Sequence, residues 1–515
     1  MAGLVELRDF FRKQPQWLLF FGVVVGWRYW AAATVPLGND EVYYWDWARD
    51  LQWSYFDHPG GVAWIAALAS WLVEAGNLGG RLFLPIFHMG SSLILYLICR
   101  QLLGRPLNGL QLGMVFLITQ LAPMNLSAIL LLPDVGLYFF FGLFLLVLLQ
   151  QVDKPKLSMI SGLLLGLLAG FSVCQKYHAG FMGMTGLLAF LWLRRDRFLS
   201  DLPGWIFLLG GGVIGCAPLL VWNLQHDLVS LRYQTNHGFA SPSFHLSWGL
   251  RIPLALLIIG TPLLVINWIK GISSQVWSSR AVVIAAATLP LMAMFLGLSF
   301  FKEVLPHWLL PSLWFSSPFV LMVRVNKFQI ALHGFYGLGL ALLLTLTLGI
   351  ERNRLLLNDE FKQRPGGLGE LTLWEDLGEA IEESQPEWPK ITGKDSGDDC
   401  PDEPLWAGSR WFWTAQLAWV LPKHPKVINL DINHVSFYSF RDQNKSWQGC
   451  PVYLVTSPKH FNQKEMAAWF DVQWLRPLVV KTHLDREVVI VGGVLTKPIG
   501  ELTRNILRYD KQLVL

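Results

Sequence analysis

The sequence contains little charge for its length. Only 15% of its 515 residues are Asp, Glu, Lys or Arg, whereas an ordinary soluble domain contains about 25%. The net charge of +4 is small and gives no indication of a nucleic-acid partner. The five cysteines show no CxxC or zinc-type spacing, and no internal repeat or low-complexity tract is visible. An ordinary soluble domain and a zinc-binding module are therefore not expected.

Apolar residues dominate instead. They make up 53% of the chain, and 25 of them are tryptophans, which are enriched at membrane–water interfaces. A helix needs about 20 apolar residues to cross a bilayer. The sequence therefore predicts a mainly α, polytopic membrane helical bundle over residues 1–350, with about eleven spans near 17–36, 82–103, 108–126, 134–151, 157–174, 178–193, 204–222, 247–268, 281–300, 307–323 and 328–349.

The connections between these runs carry Lys and Arg unevenly. If the N-terminus is cytoplasmic, the cytoplasmic segments hold 14 of these residues and the outer segments hold six. Basic loops stay on the cytoplasmic side of a membrane. An odd number of spans then places residues 351–515 outside the cytoplasm.

Two apolar stretches allow a second interpretation. The first run could be a secretory signal, because Ala31-Ala32-Ala33 follows it. However, Trp27-Arg28-Tyr29-Trp30 interrupts the run, which favours a retained anchor. The stretch 60–76 is too short to span, and it predicts a helix along the membrane surface that Pro59 opens.

The composition changes after residue 350. Residues 351–399 are polar, acidic and rich in Gly and Pro, which is typical of a linker, with a short helix predicted near 374–384. Residues 400–515 predict a small extracytoplasmic α/β domain. If this part is exported, a disulfide between Cys400 and Cys450 is possible. The domain is expected to contain a helix near 409–421 and β-rich runs at 426–432, 451–456, 477–481 and 487–495.

The predicted outer loops hold a mixed set of ionisable residues, unlike the basic cytoplasmic loops. Carboxylates, imidazoles and cations close to a membrane surface suit acid–base chemistry on a phosphorylated lipid. The alternative is that outer loops are simply polar. The short, aromatic-rich connections favour a functional set, which comprises Asp40, Glu41, Asp46, Asp57, His58, Asp134, Lys176, His178, His226, Asp227, Arg232, His237, Lys302, Glu303 and His307.

The first predicted outer loop is the densest part of this set. Asp40 and Glu41 directly follow a predicted span, where partial burial can raise a carboxyl pKa and suit a general base. Helix capping is the alternative role for both. Tyr43 and Tyr44 offer faces that could stack on a sugar, although an interface belt explains them as well. Asp57 is either a site residue or the N-cap of the following helix.

A family resemblance rests on this loop. Asp40-Glu41-x-Tyr43-Tyr44-Trp45, followed by Tyr55-Phe56-Asp57-His58-Pro59, resembles the first-loop signature of bacterial dolichyl-phosphate-mannose–protein mannosyltransferase-like glycosyltransferases. These are relatives of the aminoarabinose transferase of lipid A and have the GT-C fold. Weaker matches follow in the same order: Pro133-Asp134, Gln175-Lys176-Tyr177, Trp222-Asn223-x-Gln225-His226, Asn236-His237-Gly238, Lys302-Glu303-Val304 with His307-Trp308, and Phe437 to Asp442.

Two positions depart from the family pattern. Gly60-Gly61 stands where the family often has a second Pro, and the usual small residue between Lys302 and Glu303 is missing. Both departures bear on the acceptor side more than on the fold.

The resemblance implies transfer of a single sugar from a polyprenyl-phosphate carrier on the outer side of the inner membrane. It implies that Asp40 is the base, with Glu41 as its neighbour, and that the anomeric carbon is inverted in one displacement. Cations would stabilise the leaving phosphate, and Tyr177 could donate a hydrogen bond. The candidate cations are Lys176, Arg232, His237 and Lys302. The other candidate substrate-binding residues are Tyr43, Tyr44, Asp57, His58, Asp134 and Glu303.

The resemblance implies no cofactor beyond the lipid-linked donor. His58 or His237 could ligate a metal, but no ligand spacing supports one. The expected acceptor is lipid A or another envelope glycolipid rather than a protein, and the pattern does not specify the sugar. The main alternative is a transporter or flippase of lipid-linked sugars, which would place charges near the bilayer midplane and often contain repeated halves. A membrane anchor for a C-terminal binding module is the third interpretation.

Overall fold

The architecture is that of a computed structural model, which describes residues 2–73, 76–239, 243–273, 277–349, 369–392, 400–431, 434–480 and 486–502. These residues are mainly helical and include a small sheet, as predicted. The residues of the chain form two compact units. The first comprises Met1–Val35, Gln52–Leu231 and His237–Ile350, and the second comprises Pro36–Leu51, Arg232–Asn236 and Glu351–Leu515. The first-loop segment therefore clusters with the C-terminal third of the chain.

The first unit is built from α-helices joined by short connections. Single 3₁₀ turns lie at Arg195–Arg197, Pro306–Leu309 and Ser317–Met322. Its helices are α1 (Ala2–Lys13), α2 (Gln16–Thr34), α4 (Gly61–Leu72), α5 (Leu78–Arg81), α6 (Leu84–Leu103), α7 (Gly109–Thr119), α8 (Ala122–Ser127), α9 (Pro133–Gln151), α10 (Met159–Val173), α11 (His178–Leu193), α12 (Phe198–Gln225), part of α13 (Val229–Phe239), α14 (Leu246–Gly260), α15 (Pro262–Ser273), α16 (Ser279–Leu298), α17 (Leu310–Ser316) and α18 (Lys327–Gly349). Helix α3 (Asn39–Ala48) belongs to the second unit.

Several helices of the described residues are long and apolar enough to cross a membrane. Four stand alone, and two further pairs pass the same test as one broken span each: α2 with α3, and α14 with α15. These helices confirm a multi-pass membrane protein. The predicted count of about eleven spans is not confirmed, because runs such as those of α7, α10 and α11 form apolar helices of only 10–17 residues. The four single candidates are Leu78–Leu103, Pro133–Gln151, Arg195–Gln225 and Ser279–Leu298.

Helices α10 and α12 pack unusually closely through glycine. Gly162, Gly166 and Gly170 recur every four residues on α10 and face the backbone of α12. A Cβ atom on Gly166 would lie 2.0 Å from the carbonyl oxygen of Leu208. Small residues allow helices in lipid to approach until dispersion forces hold them. This packing fixes α12 beside the end of α10, from which the chain continues to Lys176.

The second unit combines α3 and the C-terminal residues. Its sheet has the order β2-β1-β3-β5-β4, in which β1 pairs in parallel with β2 and β3, and β5 pairs antiparallel with β3 and β4. A disulfide joins Cys400 to Cys450, whose Cα atoms are 5.4 Å apart. The elements are α19 (Gly369–Ser384), β1 (Leu405–Gly408), α20 (Trp411–Val420), β2 (Ile428–Asn429), α21 (Phe437–Arg441), β3 (Pro451–Thr456), α22 (Gln463–Met466), β4 (Phe470–Val480) and β5 (Arg486–Leu495), with 3₁₀ turns at Gln385–Glu387 and Pro458–His460.

Candidate active site

Glu41 caps the N-terminus of helix α3. The helix begins at Asn39, and the Glu41 Oε2 atom accepts the backbone N–H of Gly38 at 3.0 Å. The Glu41 side chain is buried. This contact satisfies one of the N–H groups that a helix start leaves open, and it places a negative charge at the positive end of the helix dipole. Of the two roles considered for Glu41, the structure supports capping.

Asp40 differs from its neighbour. Its side chain is accessible to solvent, and among the described residues its carboxylate has no hydrogen-bond or ion-pair partner. The surrounding protein still removes enough water to raise the pKa of the Asp40 carboxyl group, and the adjacent Glu41 carboxylate raises it further. An accessible carboxylate with a raised pKa has the properties of a general base that works near neutral pH.

The third carboxylate of α3, Asp46, is buried and paired. Its two oxygens lie 3.0 Å from Arg49 Nη1 and 3.3 Å from Arg441 Nη1. Arg441 also contacts Asp442 at 2.7 Å. Asp46 belongs to the ionisable set predicted for the outer loops, although without a specific role, whereas Arg441 was not predicted as a site residue. The sole signal was that Arg441 falls in the Phe437–Asp442 motif of the family resemblance.

The structure corrects the prediction that Tyr43 and Tyr44 form an open sugar platform. Both side chains are 5% exposed. The Tyr43 hydroxyl accepts the backbone N–H of Phe437 at 2.7 Å, and its ring lies 4.8 Å from that of Trp411. Tyr44 packs 5.0 Å from Trp47. Their faces are therefore covered by the second unit's own aromatic core.

The first unit contains a second polar cluster, centred on a buried ion pair. Lys176 Nζ donates to both carboxylate oxygens of Asp134, at 2.9 and 2.8 Å. The two side chains are 5% and 8% exposed. Asp134 lies in the first turn of α9, and Lys176 lies between α10 and α11. These two predicted site residues are therefore brought together, and Asp134 neutralises the charge of Lys176.

The imidazoles of His178 and His307 lie close enough to this pair to interact with it electrostatically, and a third imidazole, that of His58, interacts with His178. His178 interacts with Lys176, His58 and His307. Desolvation and Lys176 lower the pKa of His307, whereas Asp134 raises it. The buried Nε2 atom of His178 has no hydrogen-bond partner in the described part of the chain. Buried polar atoms are normally satisfied, so this atom is available to a bound polar group.

Gln175 explains one departure from the family pattern. A Cβ atom on Gly61 or on Gly136 would lie 2.2 Å from Gln175 Oε1. The two glycines thus leave room for the Gln175 side chain beside the ion pair. Its buried Oε1 atom has no hydrogen-bond partner among the residues that the structure describes. A second proline at position 61 would not fit this arrangement.

Asp57 and His58 lie in the half-buried bend before α4. Helix α4 begins at Gly61, and Gly60 is its N-cap residue. The alternative role of Asp57 as the cap of this helix is therefore wrong, as is the expectation that Pro59 lies in its first turn. The electrostatic interaction of His58 with His178 keeps this bend in the candidate site.

The remaining predicted residues are less tightly held. Tyr177 Oη lies 2.6 Å from Ser230 Oγ, and Arg232 is exposed. Lys302 is half-buried. Glu303 accepts a hydrogen bond from Arg251 at 2.9 Å. The side chain of His237 lies outside the described residues. Within the described ranges, no three His, Cys, Asp or Glu side chains are grouped as for a metal ion.

The apolar helices define a class of protein, a multi-pass membrane protein, and comparison with solved structures shows that its fold is that of the GT-C glycosyltransferases. The structure is similar to that of ArnT from Cupriavidus metallidurans bound to undecaprenyl phosphate, with a TM-score of 0.58 and 15% identity over 93% of this chain and 98% of that chain. The apo form of the same protein gives a TM-score of 0.56 over the same shares. At this identity the likeness shows the fold.

Sequence comparisons give the particular relatives. The family model described as dolichyl-phosphate-mannose-protein mannosyltransferase matches residues 57–222, which include Asp134 and Lys176. The chain is also 27% identical over 196 residues to the lipid A galacturonosyltransferase RgtD of Rhizobium johnstonii. This match spans 38% of this chain and only 40% of that protein. Together with the shared fold, these matches confirm the resemblance predicted from the first-loop signature.

Proposed function

We propose that the chain is a glycosyltransferase of the inner membrane that moves one sugar from a polyprenyl-phosphate carrier to lipid A or another envelope glycolipid. The observation that carries this proposal is the accessible Asp40 carboxylate with its raised pKa. Within α3, Glu41 is used as a cap and Asp46 is paired with arginine, which leaves Asp40 for chemistry. The similarity to a lipid A galacturonosyltransferase supports the acceptor class.

Asp40 is proposed as the general base. Its carboxylate accepts the proton of the acceptor hydroxyl while that oxygen attacks the anomeric carbon. The bond between the anomeric carbon and the phosphate oxygen breaks, and the polyprenyl phosphate leaves, so the configuration inverts. A positioned base contributes about 10²–10⁴ in rate.

The cluster of the first unit is proposed to bind the donor phosphate. Asp134 pairs with Lys176 and neutralises its charge. Lys176 would therefore orient the phosphate through a fixed ammonium group more than it would attract it by net charge. His178 and His307 can donate hydrogen bonds to a phosphate. Because His178 Nε2 has no hydrogen-bond partner among the described residues, binding a phosphate there would break no existing hydrogen bond. Arg232 and Lys302 remain candidate cations for the same role. The solved structure of ArnT with undecaprenyl phosphate supports this donor class.

The reaction is proposed to take place on the extracytoplasmic side of the membrane. Residues 400–515 are proposed to lie on the same side. The support is the distribution of Lys and Arg, with 14 in the predicted cytoplasmic segments and six in the outer ones. The disulfide between Cys400 and Cys450 is also typical of an oxidising compartment.

The base is tested with purified full-length protein in detergent. Radiolabelled polyprenyl phosphates carrying galacturonic acid, mannose, galactose or aminoarabinose are offered as donors, with lipid A as acceptor. We expect Asp40→Asn to lower transfer by at least about 10²-fold while the protein melts normally. Asp50→Asn, ten residues further along, is the control and should retain transfer. Near-wild-type turnover by Asp40→Asn would rule out this base. Sugar transport without transfer would support a transporter instead.

The phosphate cluster needs a different variant. Replacing Lys176 alone would leave Asp134 buried and unpaired, so the pair is removed together as Asp134→Asn/Lys176→Met. We expect weaker binding of undecaprenyl phosphate, measured as a smaller ligand-induced rise in melting temperature. Arg232→Ala and Lys302→Met are compared in the same assay. Unchanged binding in all three would contradict the assignment of the donor phosphate to these residues.

A further inference from the structure

Helix α3 is attached to C-terminal residues of the second unit along one face. Gln416 Nε2 donates to Asn39 Oδ1 at 3.0 Å and to the Leu37 carbonyl oxygen at 3.4 Å. Tyr43 Oη accepts the N–H of Phe437, and Asp46 pairs with Arg441. The attached positions 39, 43 and 46 are spaced by four and three residues. This spacing places them on the same side of a helix.

The attachment is buried, whereas ordinary surface contacts between polar side chains are exposed to water. Asp46 and Arg441 are 3% and 6% exposed at their side chains, and Gln416 is 1% exposed. Arg441 is itself fixed by Asp442 at 2.7 Å and by the carbonyl oxygen of Val427 at 2.6 Å. Charge-assisted contacts of this kind are stronger than neutral ones and fix direction. The C-terminal residues therefore form a rigid support for α3.

Such a support is needed because α3 is short. With ten residues, it is below the about 12–15 residues at which an isolated helix becomes even marginally stable in water. Its conformation must therefore come from tertiary contacts. Asp40 is adjacent to the attached Asn39, about 100° further around the helix. Any rotation or fraying at Asn39 would move the Asp40 carboxylate.

We propose that Gln416 and Arg441 are positioning residues that fix the catalytic carboxylate through α3. This inference rests on the proposed function, because it assumes that Asp40 is the base. Gln416 holds the N-terminal end of the helix beside Asp40, and Arg441 holds the other end through Asp46. The C-terminal residues thus contribute to catalysis without contacting the reacting atoms.

The test combines a structural readout with a kinetic one on full-length protein in detergent. Gln416→Ala and Asp46→Asn are the main variants. In Asp46→Asn, Arg441 keeps Asp442 as its partner, so no buried charge is left alone. Arg476→Met is the matched control, because it removes an arginine–carboxylate pair of the same unit, with Glu387 at 3.1 Å, that does not involve α3. Arg441→Lys tests rescue, since it keeps the charge and loses the fork.

We expect faster amide hydrogen exchange over residues 39–48 in Gln416→Ala and Asp46→Asn but not in Arg476→Met. With polyprenyl phosphate galacturonic acid as donor and lipid A as acceptor, we expect kcat to fall by about 10²-fold and the donor KM to change less than twofold. Arg441→Lys should retain more activity than Arg441→Met. Unchanged exchange over 39–48 together with unchanged kcat would overturn the positioning role.

The two readouts separate failure of this inference from failure of the proposed function. If Asp40→Asn loses transfer but Gln416→Ala and Asp46→Asn keep wild-type kcat, the base stands and the positioning role is wrong. If the wild-type protein transfers no sugar from any donor of the panel, the function is wrong, and hydrogen exchange alone then decides whether Gln416 and Arg441 hold α3. Slowed catalysis with unchanged exchange over 39–48 would also contradict positioning through the helix.

Discussion

Helix α11 has a buried ion pair near each end, and the two pairs are built differently. After its C-terminal end, Arg194 Nε donates to Asp201 at 2.6 Å, with side chains 2% and 0% exposed. The other Asp201 oxygen accepts the N–H of Leu157 at 2.8 Å. Arg194 also donates to the carbonyl oxygens of Gln151 and Lys154. One pair thereby joins residues 151–157, where α9 leads to α10, to residues 194–201, where α11 leads into α12.

The pair before the start of α11 has different surroundings. Lys176 and Asp134 contact one another through both carboxylate oxygens, but their neighbours are imidazoles instead of backbone carbonyls. Buried atoms of Gln175 and His178 have no hydrogen-bond partner in the described part of the chain. Arg194 leaves one such atom too, Nη2, but its other nitrogens donate to Asp201 and to backbone carbonyl oxygens. The comparison indicates a structural pair at one end, and it supports the proposed binding role of the pair at the other.

The largest expected effect is at the structural pair. Asp201→Ala would leave Arg194 buried without its counter-charge, which costs about 3–5 kcal/mol of folding free energy. We expect a strongly lowered melting temperature in detergent and poor recovery of folded protein. The matched control is Asp196→Ala, whose carboxylate is 84% exposed and 4.0 Å from Arg195, and which should melt like the wild type. Equal melting temperatures for the two variants would contradict the structural role.

The binding pair is expected to respond to ligand. Asp134→Asn also leaves a buried cation, Lys176, but here the phosphate of undecaprenyl phosphate could replace the missing negative charge. We therefore expect this ligand to raise the melting temperature of Asp134→Asn more than that of the wild type. Asp201→Ala should show no such gain. If both variants respond equally to undecaprenyl phosphate, the distinction between the two pairs is wrong.

The first-loop carboxylates give a smaller effect that depends on pH. As the proposed base, Asp40 must be ionised to accept a proton, so transfer should fall as the pH drops through its raised pKa. The Glu41 carboxylate contributes to that rise. Glu41→Gln removes this charge but keeps an oxygen that can accept the N–H of Gly38, so α3 should remain capped.

The acidic limb of the pH–rate profile should therefore move to lower pH in Glu41→Gln, measured from kcat/KM with lipid A as the varied substrate. Asp50→Asn is again the control, because Asp50 lies beyond the end of α3. An unchanged limb, or one that moves to higher pH, would show that Asp40 is not the group that titrates.

Much of this arrangement follows from local sequence patterns. Apolar runs predicted the membrane helices, and the order of motifs predicted the GT-C fold and selected Asp134 and Lys176. Their pairing could not be predicted, because 42 residues separate them and no local pattern records their contact. The first-loop residues were predicted to belong to the membrane part, whereas they cluster with the C-terminal residues. No local pattern could reveal this, because contacts such as that between Arg441 and Asp46 join positions 395 residues apart.

The predicted roles of the aromatic residues failed for a related physical reason. A tyrosine side chain has an apolar ring and a polar hydroxyl group, so Tyr43 and Tyr44 suit a sugar-binding surface and a buried core equally well. Only the C-terminal residues that cover them decide between the two. Likewise, Gln416 carried no signal in the sequence, because a single glutamine in an apolar helix has no characteristic spacing. Its proposed positioning role follows only from the structure, in which Gln416 Nε2 lies 3.0 Å from Asn39 Oδ1.

A third ion pair of the first unit is expected to have the smallest effect. It tests whether burial determines how much an ion pair contributes to the folding free energy. Arg251 and Glu303 are 2.9 Å apart, nearly as close as the buried pairs at 2.6 and 2.8 Å, but their side chains are 61% and 62% exposed. Water screens such a pair, so Arg251→Met should change the folding free energy by less than about 1 kcal/mol, seen as a nearly unchanged melting temperature. A loss as large as that of Asp201→Ala would mean that distance alone, rather than burial, governs these pairs. The separation of the two ends of α11 into structural and binding roles would then lose its physical basis.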